Sequence, residues 1–204
     1  MNLENYFISQ FNNDCIGDDG AVVGKYVYSK DAFFENIHFK RKWLSYYNIA
    51  KRAMLVNISD AIAMGAQPKY ALLSVAMPKN MTAKDMKELA NGFEDTAKKY
   101  NLEIIGGDTI SNTKLDITIT IVSKVDQALY RTEIKEGYLL AYTGVLGEST
   151  KSLKKLLNLG KIHQKSKFIN IQLRQEFINK TIKYLKAGMD ISDGLFSDTQ
   201  KLAN

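Results

Sequence analysis

Five short clusters combine acids, glycines and hydroxyls in this 204-residue chain: Gly17-Asp18-Asp19-Gly20, Ser29-Lys30-Asp31, Asn57-Ile58-Ser59-Asp60, Gly106-Gly107-Asp108-Thr109 and Asp190-Ile191-Ser192-Asp193-Gly194. Aspartate has a short stem, so its carboxylate stays close to the backbone, and a neighbouring glycine lets a phosphate or a hydrated cation approach. Such hard oxygen donors suit Mg²⁺, which takes few protein ligands and completes its shell with water and substrate phosphates. Several clusters could hold several ions. Asp and Gly are also the commonest turn residues, so each cluster taken singly reads as a turn or a helix cap. The single cysteine, Cys15, and the two histidines, His38 and His163, cannot build a Cys₄ or Cys₂His₂ zinc centre, so any metal must be held by oxygen. Neither a Walker A pattern nor G-x-G-x-x-G occurs.

The elements that must position these clusters read as a mixture of strands and helices. Residues 21–29 predict a first strand, 46–64 a mostly buried helix and 69–77 a strand ended by Pro78. Thr82 is a predicted N-cap. Behind it Met86, Leu89, Phe93, Ala97 and Tyr100 recur at three- and four-residue steps, which predicts an amphipathic helix facing a core. Leu115, Ile117, Ile119 and Ile121 alternate with Asp116, Thr118 and Thr120, a strand with one buried and one wet face. Together these predict a sheet with helices on one side. Residues 137–144 read as another strand running into a glycine turn, followed by a change to helical pattern and basic charge. A domain boundary is therefore expected near Gly144, dividing 1–143 from 144–204. Leu173, Phe177, Ile178, Ile182 and Leu185 form a further helical stripe, and another helix is predicted to start at Ser192.

Composition excludes several classes. With 45% hydrophobic and 25% charged residues and two prolines, the chain is neither disordered nor fibrous. The N-terminus lacks the basic start of a signal peptide, and no apolar run reaches the length of a membrane span, so the expected compartment is the cytoplasm, without membrane contact. The net charge of +6 is uneven: residues 151–187 hold ten Lys or Arg against the single acid Glu176, leaving the rest of the chain at −3. These lysines follow helical periodicity without interleaved aromatics, which reads as a solvated helix face and not as a nucleic-acid surface.

The order and wording of the clusters resemble the thiamine-monophosphate kinase family, within the superfamily of aminoimidazole ribonucleotide synthetase and selenophosphate synthetase. The resemblance rests on GDDGAVV at 17–23, DAFFENIHF at 31–39, NISDAIAMGAQP at 57–68, IGGDTI at 105–110 and MDISDGL at 189–195, and spans 17–198. It implies an α+β fold, in which an N-terminal mixed sheet with helices forms a barrel-like dimer interface, followed by an incomplete α/β C-terminal domain. It also implies ATP- and Mg²⁺-dependent phosphorylation of thiamine monophosphate to thiamine diphosphate by a homodimer. The chemistry suits the residues. The acceptor phosphate is largely ionised near neutral pH and needs no side-chain base, so catalysis reduces to positioning two polyanions and neutralising their charge.

Carried over by position, the resemblance implies Asp18, Ser29, Asp31, Asp60, Asp108, Asp190 and Asp193 as ligands of several Mg²⁺ ions, with Asp60 and Asp108 nearest the phosphates. Asp19 is their neighbour. Gly107, Asp108, Arg131 and Ser192 are the implied ATP contacts and His38 the implied substrate contact, whereas His163 has no assigned part. One departure is Lys30, which stands where the family often has a second hydroxyl residue, and this leaves the number of ions open. Family members continue well past DISDGL, where acidic and aromatic residues hold the thiamine moiety. The chain is therefore expected to be truncated in its second domain, and a non-catalytic member that dimerises and binds nucleotide is the alternative reading.

Overall fold

A computed structural model describes residues 3–203. Helix α1 (Leu3–Ile8) is exposed and precedes a five-stranded mixed sheet in the order β1-β2-β5-β3-β4. Its strands are β1 (Ala21–Val23), β2 (Tyr26–Phe34), β3 (Gln67–Pro78), β4 (Glu103–Asn112) and β5 (Asp116–Lys124). All neighbours pair antiparallel except β3 with β4, which are parallel and joined through a helix as parallel neighbours require. The expected first strand is a hairpin instead: Gly24 adopts φ +59 and turns β1 back onto β2.

Helices α2 (Tyr46–Ala63) and α3 (Ala83–Lys99) cover one face. The alternation in β5 works as expected, with Ile117, Ile119 and Ile121 fully buried, each contributing about 1.5–3 kcal/mol of apolar burial. Helix α2 has no clean stripe because it lies between the sheet and α3, and Ile49, Ala53, Met54, Leu55, Ile58 and Ala61 are all buried. Thr82 caps α3 through a full capping box with Asp85. Of the α3 stripe, Leu89, Phe93, Ala97 and Tyr100 are buried, and Met86 stands 41% exposed. Gly92 brings α3 close to α2, where a Cβ would overlap the Tyr47 carbonyl. The other sheet face carries no helix and exposes Tyr26, Tyr28, Tyr70 and Leu72.

Further expectations need correction. Residues 137–144 form no strand: they lie outside every element, with Leu139, Leu140 and Tyr142 exposed, and no described strand pairs with them to complete their hydrogen bonds. The Gly106–Thr109 cluster is not a turn but the middle of β4. The remaining chain is mainly irregular, with short helices α4 (Glu148–Leu157), α5 (Gln175–Thr181) and α6 (Leu195–Ala203). The predicted stripe over 173–185 is split between α5 and a 3₁₀ turn at Ile182–Tyr184, and the last helix begins three residues after Ser192.

Candidate active site

Strand periodicity places Val27, Ser29, Asp31 and Phe33 on the helix-covered face of β2, so the polar pair must find partners on α2. Asn57 supplies them. Its carbonyl accepts from Ser29 Oγ at 3.2 Å and its Oδ1 accepts from the Asp31 backbone N–H at 2.7 Å, while its own Nδ2 donates to the Ala53 carbonyl. Two residues along α2, Ser59 Oγ donates to Asp190 Oδ2 at 2.8 Å, and Asp60 is buried beside it. Asp19, its side chain 2% exposed, accepts from the Asp190 N–H at 3.0 Å and pairs with Arg131 Nη2. Asp18 accepts from the Arg131 backbone N–H at 2.6 Å. Four distant segments thus meet at the C-terminal third of α2.

Their electrostatics are strained. Burial, then the charges of Asp31, Asp190 and Asp19, push the Asp60 carboxyl up to about 9, against the pull of Arg131. Asp190 is pushed up to about 6, chiefly by burial, with the Ser59 hydrogen bond pulling the other way. Burial also raises Asp19 and Asp31; Arg131 opposes the first shift and the nearby His38 the second. The Arg131 guanidinium acts on Asp19 and Asp60, and its Nε is buried without an acceptor.

The structure therefore brings together Asp18, Asp19, Ser29, Asp31, Asp60, Asp190 and Arg131. His38 lies nearby, its Nδ1 accepting from the Phe34 N–H at 2.9 Å and its ring stacked on Phe33. Asp108 stands apart. It is exposed on the edge strand β4, opposite Ser74 on the helix-free face, and three strand spacings, about 14 Å, separate β4 from β2. Gly107 approaches β3 closely, where a Cβ would overlap the Leu73 carbonyl. Asp193 is 62% exposed and bound to Lys201 at 2.6 Å, and Ser192 is exposed. Lys30 points to the opposite sheet face, reaching Thr118 Oγ1 at 3.3 Å, and brings no charge to the cluster. Sequence reasoning undervalued Asp19, which is central. It also gave no part to Ser59, although Ser59 lies inside a quoted motif.

Among the described residues, no group of three Asp, Glu, His or Cys is close enough to hold one metal ion. A family profile described as AIR synthase related protein, N-terminal domain, matches residues 17–125, which include four of the five clusters. This chain belongs to the AIR synthase related family. Among its relatives in that family, the chain is 33% identical to the thiamine-monophosphate kinase of Bacillus subtilis over 205 residues, covering 92% of this chain and 63% of that one. A crystal structure of thiamine monophosphate kinase from Aquifex aeolicus superposes with a TM-score of 0.87 at 26% identity, over 100% of this chain and 71% of that one. A structure described as AaThiL complexed with AMPPCP and TMP gives 0.89 at 27% identity, over 98% and 68%. The chain thus spans less than two thirds of the length of the curated relatives it matches.

Proposed function

We propose that the chain catalyses in-line transfer of the γ-phosphoryl group of ATP to the phosphate of thiamine monophosphate, giving thiamine diphosphate and ADP. The observation that carries this reading is the buried carboxylate set around Asp60, whose mutual repulsion Arg131 and His38 offset only in part. Carboxylates held toward their protonated forms by burial and mutual repulsion fit a site completed by cations, and their hard oxygens fit Mg²⁺. Asp18, Ser29, Asp31, Asp60 and Asp190 are the proposed inner ligands, with Asp108 and Asp193 outside the buried set. Bound magnesium would supply charge neutralisation between two polyanions. Arg131, held by Asp19, is the proposed contact to a nucleotide phosphate. Gly107, Asp108 and Ser192 are the further nucleotide contacts proposed, and His38 the contact to the acceptor. No side chain need remove a proton, because the acceptor oxygen is already ionised.

The reading extends to a homodimer formed through the helix-free sheet face as a barrel-like interface, to domains at 1–143 and 144–204, and to the cytoplasm. The exposed free Cys15 fits a reducing compartment. The test is to incubate the chain with ATP, Mg²⁺ and thiamine monophosphate and to follow thiamine diphosphate and ADP, with Asp108→Asn as control. Equal amounts of both products, reduced at least about tenfold in the control, are expected. Mg²⁺-nucleotide binding with no thiamine diphosphate would instead establish the alternative, a nucleotide-binding chain without turnover.

A further inference from the structure

Helix α6 begins after Gly194, whose carbonyl takes its first helical hydrogen bond from the Asp198 N–H at 3.0 Å. A glycine at that position has no side chain to cap the N–H groups of the first turn. Asp198 instead reaches back from within the helix to the segment before it. Its Oδ2 accepts from the backbone N–H of Ser192, Asp193 and Gly194, each at 3.0 Å, and its side chain is 4% exposed. Lys201 Nζ ties Asp198 Oδ1 at 3.4 Å to Asp193 Oδ2 at 2.6 Å. The other end of the same segment is fixed at Asp190, by Ser59 through its carboxylate and by Asp19 through its N–H. The five residues from Asp190 to Gly194 are therefore pinned at both ends, and the second pin comes from a residue outside every cluster that the sequence singled out.

We propose that Asp198 is a positioning residue for the nucleotide site: by gathering three backbone N–H groups onto one oxygen, it sets the course of the Asp190–Gly194 segment and so the placement of Asp190, Ser192 and Asp193. This rests on the phosphoryl-transfer reading above. Three N–H donors on one carboxylate oxygen use the charge as well as the shape of the side chain, because an ionised acceptor binds more strongly than an amide carbonyl. Asp198 does not need to touch substrate to act.

The test compares the full chain with Asp198→Ala and Asp198→Asn. Amide hydrogen exchange at residues 192–194, the affinity for Mg²⁺–AMPPCP by titration calorimetry, and the thermal midpoint are measured for each. Asp198→Ala is expected to speed exchange of the three amides and to weaken nucleotide binding, both by about tenfold, the change that 1.4 kcal/mol produces. The midpoint of the sheet should hold, because α6 lies outside it. Asp198→Asn keeps an acceptor oxygen and should recover most of both losses. Should the alanine variant fail to fold, the asparagine variant decides, with an expected loss of affinity of about threefold. Faster exchange with unchanged affinity would reduce Asp198 to a helix cap and overturn the proposal, as would unchanged exchange. If the parent chain binds no Mg²⁺–AMPPCP, the phosphoryl-transfer reading and the placement role fall together, and exchange alone then decides whether Asp198 fixes the segment.

Discussion

At the Asp60 carboxyl, burial and three neighbouring carboxylates hold the proton up to about 9, whereas an unfolded chain releases it near the ordinary value of about 3.9. Between those limits the folded chain keeps a proton that the unfolded chain has lost, so rising pH destabilises the metal-free fold across that window. Asp190, pushed up to about 6, adds to the slope in its lower part. Replacing Asp60 with Asn removes the larger contribution. In Mg²⁺-free buffer, thermal melts of Asp60→Asn should show a flatter decline from pH 5 to 9, with a midpoint at pH 8.5 at least about 3 °C above the parent, the shift expected from roughly 1 kcal/mol in a chain of this size. Added Mg²⁺ should raise the parent's midpoint at that pH and leave the variant's nearly unmoved. Parallel slopes in the two proteins would sink the assignment of the strain to Asp60. The residue types needed for this were legible in the sequence, but their convergence was not. Asp108 and Asp190 sit in equally conspicuous clusters, and only strand order and the return of the chain to α2 separate one from the other.

Periodicity made two elements readable because each has a single buried side: the Leu89–Phe93–Ala97 stripe of α3 and the alternation of β5. Helix α2 is buried on more than one side and was legible by length rather than by stripe. Strand β4 escaped because Gly106 and Gly107 interrupt its apolar run, while residues 137–144 carried a convincing strand pattern and found no partner. Pairing is a non-local fact, and local pattern cannot supply it. The close contact of α2 and α3 has a consequence opposite to helix propensity. Alanine is about 1 kcal/mol better than glycine inside a helix, yet a Cβ at Gly92 would collide with the Tyr47 carbonyl. Gly92→Ala should therefore lower the thermal midpoint, and by more than Thr82→Ala, which removes only a cap worth about 1 kcal/mol. A midpoint raised by Gly92→Ala would show that the helices can separate freely.

For the whole molecule, an open sheet with Tyr26, Tyr28, Tyr70 and Leu72 on its uncovered face presents an apolar surface of the kind that a second copy buries in a two-fold assembly. Sedimentation velocity should give a dimer, and the double substitution Tyr28→Lys with Leu72→Lys should give a folded monomer. A monomeric parent would remove the proposed interface. The fold class was legible at this scale, because mixed strand and helix patterns with one polar strand face leave few layered arrangements.

The hydrogen bond between Asp190 and Asp19 joins residues 171 positions apart, whereas the sheet and its two covering helices are complete by Lys124. During synthesis a nascent chain would therefore own its sheet and most of its core well before it completes its carboxylate cluster. Long-range closure of that kind is the last contact made and the first one lost, since it rests on a few bonds and not on the packed interior. Mild heating or a nick in the irregular stretch after β5 would leave a sheet that still melts cooperatively around a dismantled site.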